Sequence, residues 1–478
     1  MNPENQFFQA AKRAVTPLLL GVLLSLAGCI PNRGYRTQLP PCKPGSDGAL
    51  LPTCSVQVVK SVFDNKPVDI PVAFVEFDDV GQAFKRGQIK AAEDVIRAER
   101  QQHKDDTVVT VLFIHGWKNN ASDNTANVPG FRRFLQEFEP KLPPHVRLVG
   151  VYFGWRGGTT NLAVVKELTY WNRRDDATYI PGSNLSEALL RVARAAKGPE
   201  YNDPQSNFVV VGHSFGGLVL ERTVTQYLTR RVVEHEPTDK EHSGDFRPFA
   251  DLLVFVNEAA AATEAIQLLT MLKDSVELQT YPTIVSITSE GDMATRFILP
   301  VGQGASLLKP SKKGLRDYGP PSGPAKEYDA DPFGIAKQRS YYLRSATHIQ
   351  QLQSHVIGSE DNKDILNAYK DTDQGYTCAS IPFVDGNATK FKNYYVVRRR
   401  AAPNNTPYWI MQMPTEIVAD HSNVFRIEFA TLLQAFVLRQ AADEKPDYKT
   451  CYRQLELLPP TQTPHMEQMK SAIRVKAR

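Results

Sequence analysis

Charge imbalance is almost absent from this chain: 56 basic against 52 acidic residues leave a net +4 over 478 residues. So small an excess does not steer a protein to nucleic acid, and nucleic-acid partners are set aside. Cysteine is scarce as well. None of the five (Cys29, Cys42, Cys54, Cys378, Cys451) stands at the CxxC spacing of a zinc or redox site, so no metal role is read for them. Internal repeats and long low-complexity runs are missing too. What is left is 42% hydrophobic and 23% charged, the composition of a folded globular protein. The length suits one large domain with insertions, or two to three ordinary ones.

The apolar stretch AVTPLLLGVLLSLAG, after Lys12 and Arg13, falls short of the ~20 residues that span a bilayer. A basic start, a short apolar core and small residues at its end read as a cleavable export signal. An uncleaved signal anchor is the alternative. Leu26-Ala27-Gly28-Cys29 resembles the lipobox of bacterial lipoproteins. That resemblance implies cleavage before Cys29 and diacylglycerol on its sulfur, and two or more acyl chains anchor stably where one does not. Ile30 after the cysteine implies, by the same analogy, an outer-membrane protein facing the periplasm. Export leaves Cys42, Cys54, Cys378 and Cys451 as an even set in an oxidising compartment. Cys42 with Cys54 and Cys378 with Cys451 is the preferred pairing, because the first two are close in sequence. Buried free thiols are the alternative.

Along the chain, residues 1–28 read as the signal and 29–66 as a Pro- and Gly-rich tether with a disulfide loop. Residues 67–442 read as one catalytic domain, and 443–478 as a tail. Inside the domain, continuous apolar runs alternate with helical patterns. IPVAFVEF, TVVTVLFIHG, VRLVGVYFGW, NFVVVG, DLLVFVN and TIVSIT read as strands. QIKAAEDVIRAER, LSEALLRVARAA, GGLVLERTVTQYLTR and TEAIQLLTMLKD read as helices. Such alternation is the pattern of a doubly wound parallel sheet covered on both faces. It breaks at about 300–390, read as an insertion over the carboxyl edge of the sheet. NYYVVRRRA and PYWIMQMP, joined by the turn-prone PNNT, read as the strands that resume the sheet. The amphipathic NVFRIEFATLLQAFVLRQAA closes the fold as a helix.

The chemistry gathers at Gly212-His213-Ser214-Phe215-Gly216, a G-x-S-x-G match. By chance a chain this long yields on the order of 0.1–0.2 such matches, and this one also has its strand before and its helix after. A serine in so tight a turn needs small residues two before and two after it, which Gly212 and Gly216 supply. The Phe215 N–H at the helix start then points where an oxyanion would form. A strand-to-helix turn without chemistry is the bland alternative.

Serine needs a base and an orienting acid, in the chain order Ser, Asp or Glu, His. Asp292, after Gly291 in TIVSITSEGDMATRF, is the preferred acid, with Glu258 and Glu290 as rivals. His421, between the strand at 408–413 and the last helix, is the preferred base, with Ser422 or Asn423 as helix cap. His348 and His355 are its rivals. They stand seven apart, on one helical face, and read as surface or lid residues. After the early strand, Gly116 permits a tight turn and the Trp117 N–H is the second oxyanion donor. His115 reads as a loop-stabilising residue, and Trp117 could serve equally as a core aromatic.

Together, FIHGW, VVVGHSFGG, SITSEGDMAT and DHSNVF resemble the α/β-hydrolase superfamily, in particular bacterial esterase- or lipase-like proteins with an HGWK.NA loop. The resemblance spans roughly 70–300 and 390–440. It implies the α/β-hydrolase fold, an eight-stranded, mostly parallel sheet, and no metal or organic cofactor. The expected activity is a membrane-anchored serine ester hydrolase working through an acyl-enzyme on an ester or lipid substrate. Two alternatives stand beside it: an acyltransferase with the same triad, and a non-catalytic envelope protein that keeps the fold.

Overall fold

The computed structural model describes residues 32–42, 51–63, 65–157, 177, 180, 183–234, 248–273, 282–308, 340–358, 380–384, 391–398 and 407–440. Cys29, Cys378, Cys451, the signal at 1–28 and the tail at 443–478 lie outside them.

An eight-stranded sheet forms the centre. Its members in chain order are β1 (Val56–Phe63), β2 (Lys66–Phe77), β3 (Thr107–Ile114), β4 (Val146–Trp155), β5 (Ser206–His213), β6 (Leu252–Val256), β7 (Ile284–Ser289) and a late strand, Tyr408–Met413. In space the order is β1-β2-β4-β3-β5-β6-β7 and then the late strand. Only the β1–β2 hairpin is antiparallel; the six other pairings are parallel. All seven parallel strands therefore end at one edge.

Every residue of β5 is buried, as a central strand covered on both faces requires. Successive side chains point to opposite faces, so Phe208 and Val210 join one core while Val209 and Val211 join the other. Helices α1 (Arg86–Gln102), α3 (Asn184–Lys197), α4 (Phe215–Glu234) and α5 (Ala262–Lys273) cover the first face, through Ile89, Ile96, Leu189, Leu218 and Leu268. Helix α2 (Asn127–Phe138) and the last helix, α7 (Ile427–Gln440), cover the second with Phe131, Phe134, Leu433 and Phe436. Each such side chain contributes about 1.5–3 kcal/mol on full burial. Ser183 accepts a hydrogen bond from the Leu185 N–H and so caps α3.

Several expectations are revised. The segment expected to be a tether contributes β1, because VQVVKSVF pairs residue for residue with β2. NYYVVRRRA does not return to the main sheet. It is the middle strand, β10 (Phe391–Arg398), of a separate antiparallel sheet between β8 (His355–Gly358) and β9 (Ser380–Val384). Near antiparallel partners take up its backbone groups, and only the late strand, β11 (Tyr408–Met413), crosses back to pair with β7. The region read as unpatterned thus carries strands of its own, preceded by helix α6 (Leu299–Leu308). Cys42 and Cys54 form a disulfide, with Cα atoms 5.9 Å apart.

Candidate active site

β5 ends at His213 and α4 begins at Phe215, leaving Ser214 alone to reverse the chain. It does so in the left-handed region, at φ +56°, a conformation that costs a non-glycine residue about 1–3 kcal/mol. Hydrogen bonds hold it there. The Ser214 N–H donates to Val256 O at 3.0 Å, and its carbonyl accepts from the N–H groups of Gly217, Leu218 and Ala259 at 3.0–3.2 Å. The flanking glycines are obligatory. A Cβ on Gly216 would lie 2.2 Å from the Ile114 carbonyl oxygen, and one on Gly212 would lie 2.7 Å from the Gly216 oxygen.

Two other strand ends bring their residues to this point. The Ser214 Oγ stands 2.9 Å from Nε2 of His421, and Nδ1 of the same ring stands 2.9 Å from both carboxylate oxygens of Asp292. Asp292 is 1% exposed. Desolvation alone would raise its pKa. The hydrogen bond and charge of His421, with hydrogen bonds from the Thr295 hydroxyl and N–H, outweigh it and hold the carboxyl below its ordinary value. The Ala294 N–H and Thr295 N–H donate to Oδ1, at 2.9 and 3.1 Å, and the Thr295 hydroxyl donates to Oδ2 at 2.7 Å. An anion so placed accepts the Nδ1 proton of His421 and leaves Nε2 free to accept from Ser214.

The histidine loop is clamped from below by residues the sequence did not single out for the role. Asn257, in the left-handed region at φ +49°, donates its amide to Asp420 O at 2.9 Å and His421 O at 3.2 Å. Its side-chain oxygen accepts the Ser289 N–H at 2.8 Å. His213 Nε2 donates to the same His421 carbonyl at 2.6 Å. That fixes its tautomer, and Nδ1 is left buried with no partner among the described residues. Burial first, then the charge of His421, lowers the His213 pKa to about 3, so the ring stays neutral. The only hint in the sequence was the polar Asn257 closing an apolar strand.

The rival residues are elsewhere. Glu258 is buried on the α4 side, accepting from the Ser286 hydroxyl at 2.5 Å, with its pKa raised to about 7 by desolvation. Glu221 is its electrostatic neighbour there, its carboxyl raised by burial and by Glu258. Glu290 is exposed and donates its N–H to Met413 O. His348 accompanies Ser345 in a short 3-10 turn, 2.8 Å from its hydroxyl, and is near enough to Asp292 to feel its charge. His355 lies in β8, 2% exposed and stacked 3.9 Å from Trp409. The two histidines therefore share no helical face, and His355 is a core residue, not a surface one. The expected cap is revised as well: Asp420 accepts from Ser422 N and Asn423 N, and α7 starts only at Ile427.

The loop after β3 lies against the serine. A Cβ on Gly116 would meet Ser214 Cβ at 2.6 Å and Oγ at 3.2 Å, so only glycine lets this loop approach. Trp117 follows it, packed at the margin of the core with the Lys118 ammonium 4.0 Å above its ring. Phe215 is fully buried in the core, which pins the first turn of α4. His115 supports the loop. Nε2 accepts from the Trp155 N–H at 3.0 Å, Nδ1 donates to Gly116 O at 2.8 Å, and the ring stacks on Trp155. Its pKa is lowered to about 4 by burial. Among the described residues no group of three or more His, Cys, Asp or Glu could hold a metal ion. No described helix is long and apolar enough to cross a membrane.

No family model matches this chain, and no curated protein does. Among solved structures it has a slight likeness to Trichoderma reesei cutinase in complex with a C11Y4 phosphonate inhibitor. That likeness has 17% identity and a TM-score of 0.18, over 36% of this chain and 66% of the cutinase chain. A likeness of that size bears on neither the fold nor the chemistry here.

Proposed function

We propose that this chain is a serine ester hydrolase built on the α/β-hydrolase fold. The reading rests on one observation: Oγ of Ser214, the His421 ring and the Asp292 carboxylate form a continuous hydrogen-bonded line from three separate strand ends. His421 takes the proton of Ser214 as Oγ attacks the ester carbonyl. The backbone N–H groups of Phe215 and Trp117 receive the oxyanion, an interaction worth about 2.7–4 kcal/mol per donor. His421 then gives its proton to the departing alcohol, and water, activated by the same ring, releases the acid from Ser214. Asp292 keeps the imidazole in the tautomer that accepts from serine and stabilises its cation.

The lipobox-like ending at Cys29 supports a place for the enzyme on the bacterial envelope, held by lipid at the outer membrane, with ester or lipid substrates. A fluorophosphonate probe tests the chemistry. Ser214 should be labelled, as mapped by mass spectrometry, and Ser214→Ala and His421→Ala should abolish labelling. A folded wild-type protein that stays unlabelled refutes an activated nucleophile.

A further inference from the structure

A helical segment begins one residue after Asp292 and carries an apolar surface that the proposed reaction does not use. Met293, Phe297, Ile298 and Val301 are 61%, 53%, 46% and 69% exposed. Met293, Phe297 and Val301 recur at every fourth position, so they form one stripe, while Asp292, Thr295 and Leu299 point inward. Arg296 stands among them, exposed, with its guanidinium 5.7 Å from the Phe297 ring. Exposed apolar groups packed this closely mark an interaction surface, and singly scattered ones do not.

The amino-terminal end of the described chain indicates what it meets. Arg36 is 1% exposed and pinned: its guanidinium donates to Ala121 O, to Pro52 O and to Asp123. The N–H groups of Tyr35 and Arg36 both donate to Glu76, next to the last residue of β2. Arg33 and Tyr35 line a cleft with Asn120, Trp155 and Arg156, beyond the end of β3 and at the end of β4. The chain therefore enters the fold at the same sheet edge that carries Ser214. Cys29 is seven residues before Arg36, a reach of at most about 25 Å. β7, which leads to the apolar stripe, is five places along the sheet from β2, roughly 24 Å at about 4.8 Å per strand. Leash and stripe thus open on the same edge.

We infer that this edge docks on a lipid bilayer. The apolar stripe enters the acyl boundary, Arg296 and Arg33 meet headgroup phosphates, and Ser214 faces the membrane surface. The inference rests on the proposed lipid anchor at Cys29 and makes lipid-embedded esters the substrates within reach.

The test uses the full-length lipoprotein reconstituted in phosphatidylethanolamine–phosphatidylglycerol vesicles, with and without bromine on the acyl chains. Phe297→Trp, and Val301→Trp as a second probe, should lose fluorescence to bromine beyond the wild-type background of four tryptophans. Val62→Trp should lose none beyond background, since Val62 is 61% exposed beside the β1–β2 turn at the opposite edge. Flotation with the vesicles but equal quenching at 62 and 297, or none at 297 and 301, overturns the orientation. A 297 indole shielded from water yet unquenched means that a second copy or another segment covers the stripe, which overturns it as well. Failure to float removes the anchor and the inference with it. No turnover is read, so none of these outcomes is confounded with the fate of the hydrolase reading.

Discussion

Replacing Asp292 by asparagine should leave the fold in place and nearly abolish turnover, for a reason visible in its hydrogen bonds. Oδ1 accepts two backbone N–H groups, from Ala294 and Thr295, which cannot turn away. The asparagine oxygen must take that position, so its NH2 group occupies the place of Oδ2. There the Thr295 hydroxyl, 2.7 Å away, can rotate from donor to acceptor. Nδ1 of His421, 2.9 Å from both positions, now faces a donor at one and, at the other, an oxygen already holding two N–H groups, which favours the tautomer with the proton on Nε2. A protonated Nε2 facing Ser214 cannot take the serine proton. Loss of the correct tautomer in a Ser-His-Asp site lowers kcat by about 10⁴-fold, equivalent to about 5 kcal/mol. Steady-state hydrolysis of a p-nitrophenyl ester measures it, with urea unfolding alongside to show an intact fold. A loss below about tenfold in a folded protein would show that Asp292 does not orient the base.

Gly216→Ala places a methyl 2.2 Å from a backbone oxygen, and should cost about 3 kcal/mol of overpacking, read as a lower urea midpoint. His213→Phe removes one donor from the His421 carbonyl and should lower kcat by about tenfold with little change in KM; rescue by His213→Gln would tie the loss to the hydrogen bond. His213 also makes stability acid-sensitive. Its folded pKa, near 3, lies below the ordinary 6.5, so the unfolded chain binds more protons between those values. Its contribution is full above pH 6.5 and falls by about 4 kcal/mol toward pH 3, a slope that His213→Phe should reduce in pH-dependent unfolding. Glu258 acts in the opposite sense: its carboxyl is raised from 4.5 to about 7, so its contribution is full below 4.5 and shrinks as pH rises through 7. Glu258→Gln should therefore stabilise the protein above pH 7, by ~3 kcal/mol, with no gain at pH 4.5; equal melting temperatures at pH 8 would refute the assignment.

The local features were legible because they follow from backbone preference. NFVVVG is a strand by its β-branched run, and the glycines around Ser214 are demanded by a turn too tight for a Cβ. Strand ends for Asp292 and His421 could be placed from the same alternation. Less was visible where pairing, not propensity, decides. The strand at Tyr394–Val397 has the same apolar character as the one at Tyr408–Met411, yet one sits in a small antiparallel sheet and the other in the main one. Which neighbour a strand finds depends on partners that its own residues do not specify.

The sequence by itself determined the strand-to-helix alternation, the glycine-flanked serine turn and a short list of acids and bases at strand ends. Tertiary structure alone chose among them. Strand order put β7 and β11 side by side, so Asp292 and His421, 129 residues apart, meet at 2.9 Å, while Glu258 turns into the core behind α4. It also turned Asn257 and His213, unremarkable in sequence, into the clamp beneath His421, across 164 and 208 residues. Short-range sterics act between neighbours and can be read along the chain; a hydrogen bond over 208 residues exists only once the sheet has closed the distance.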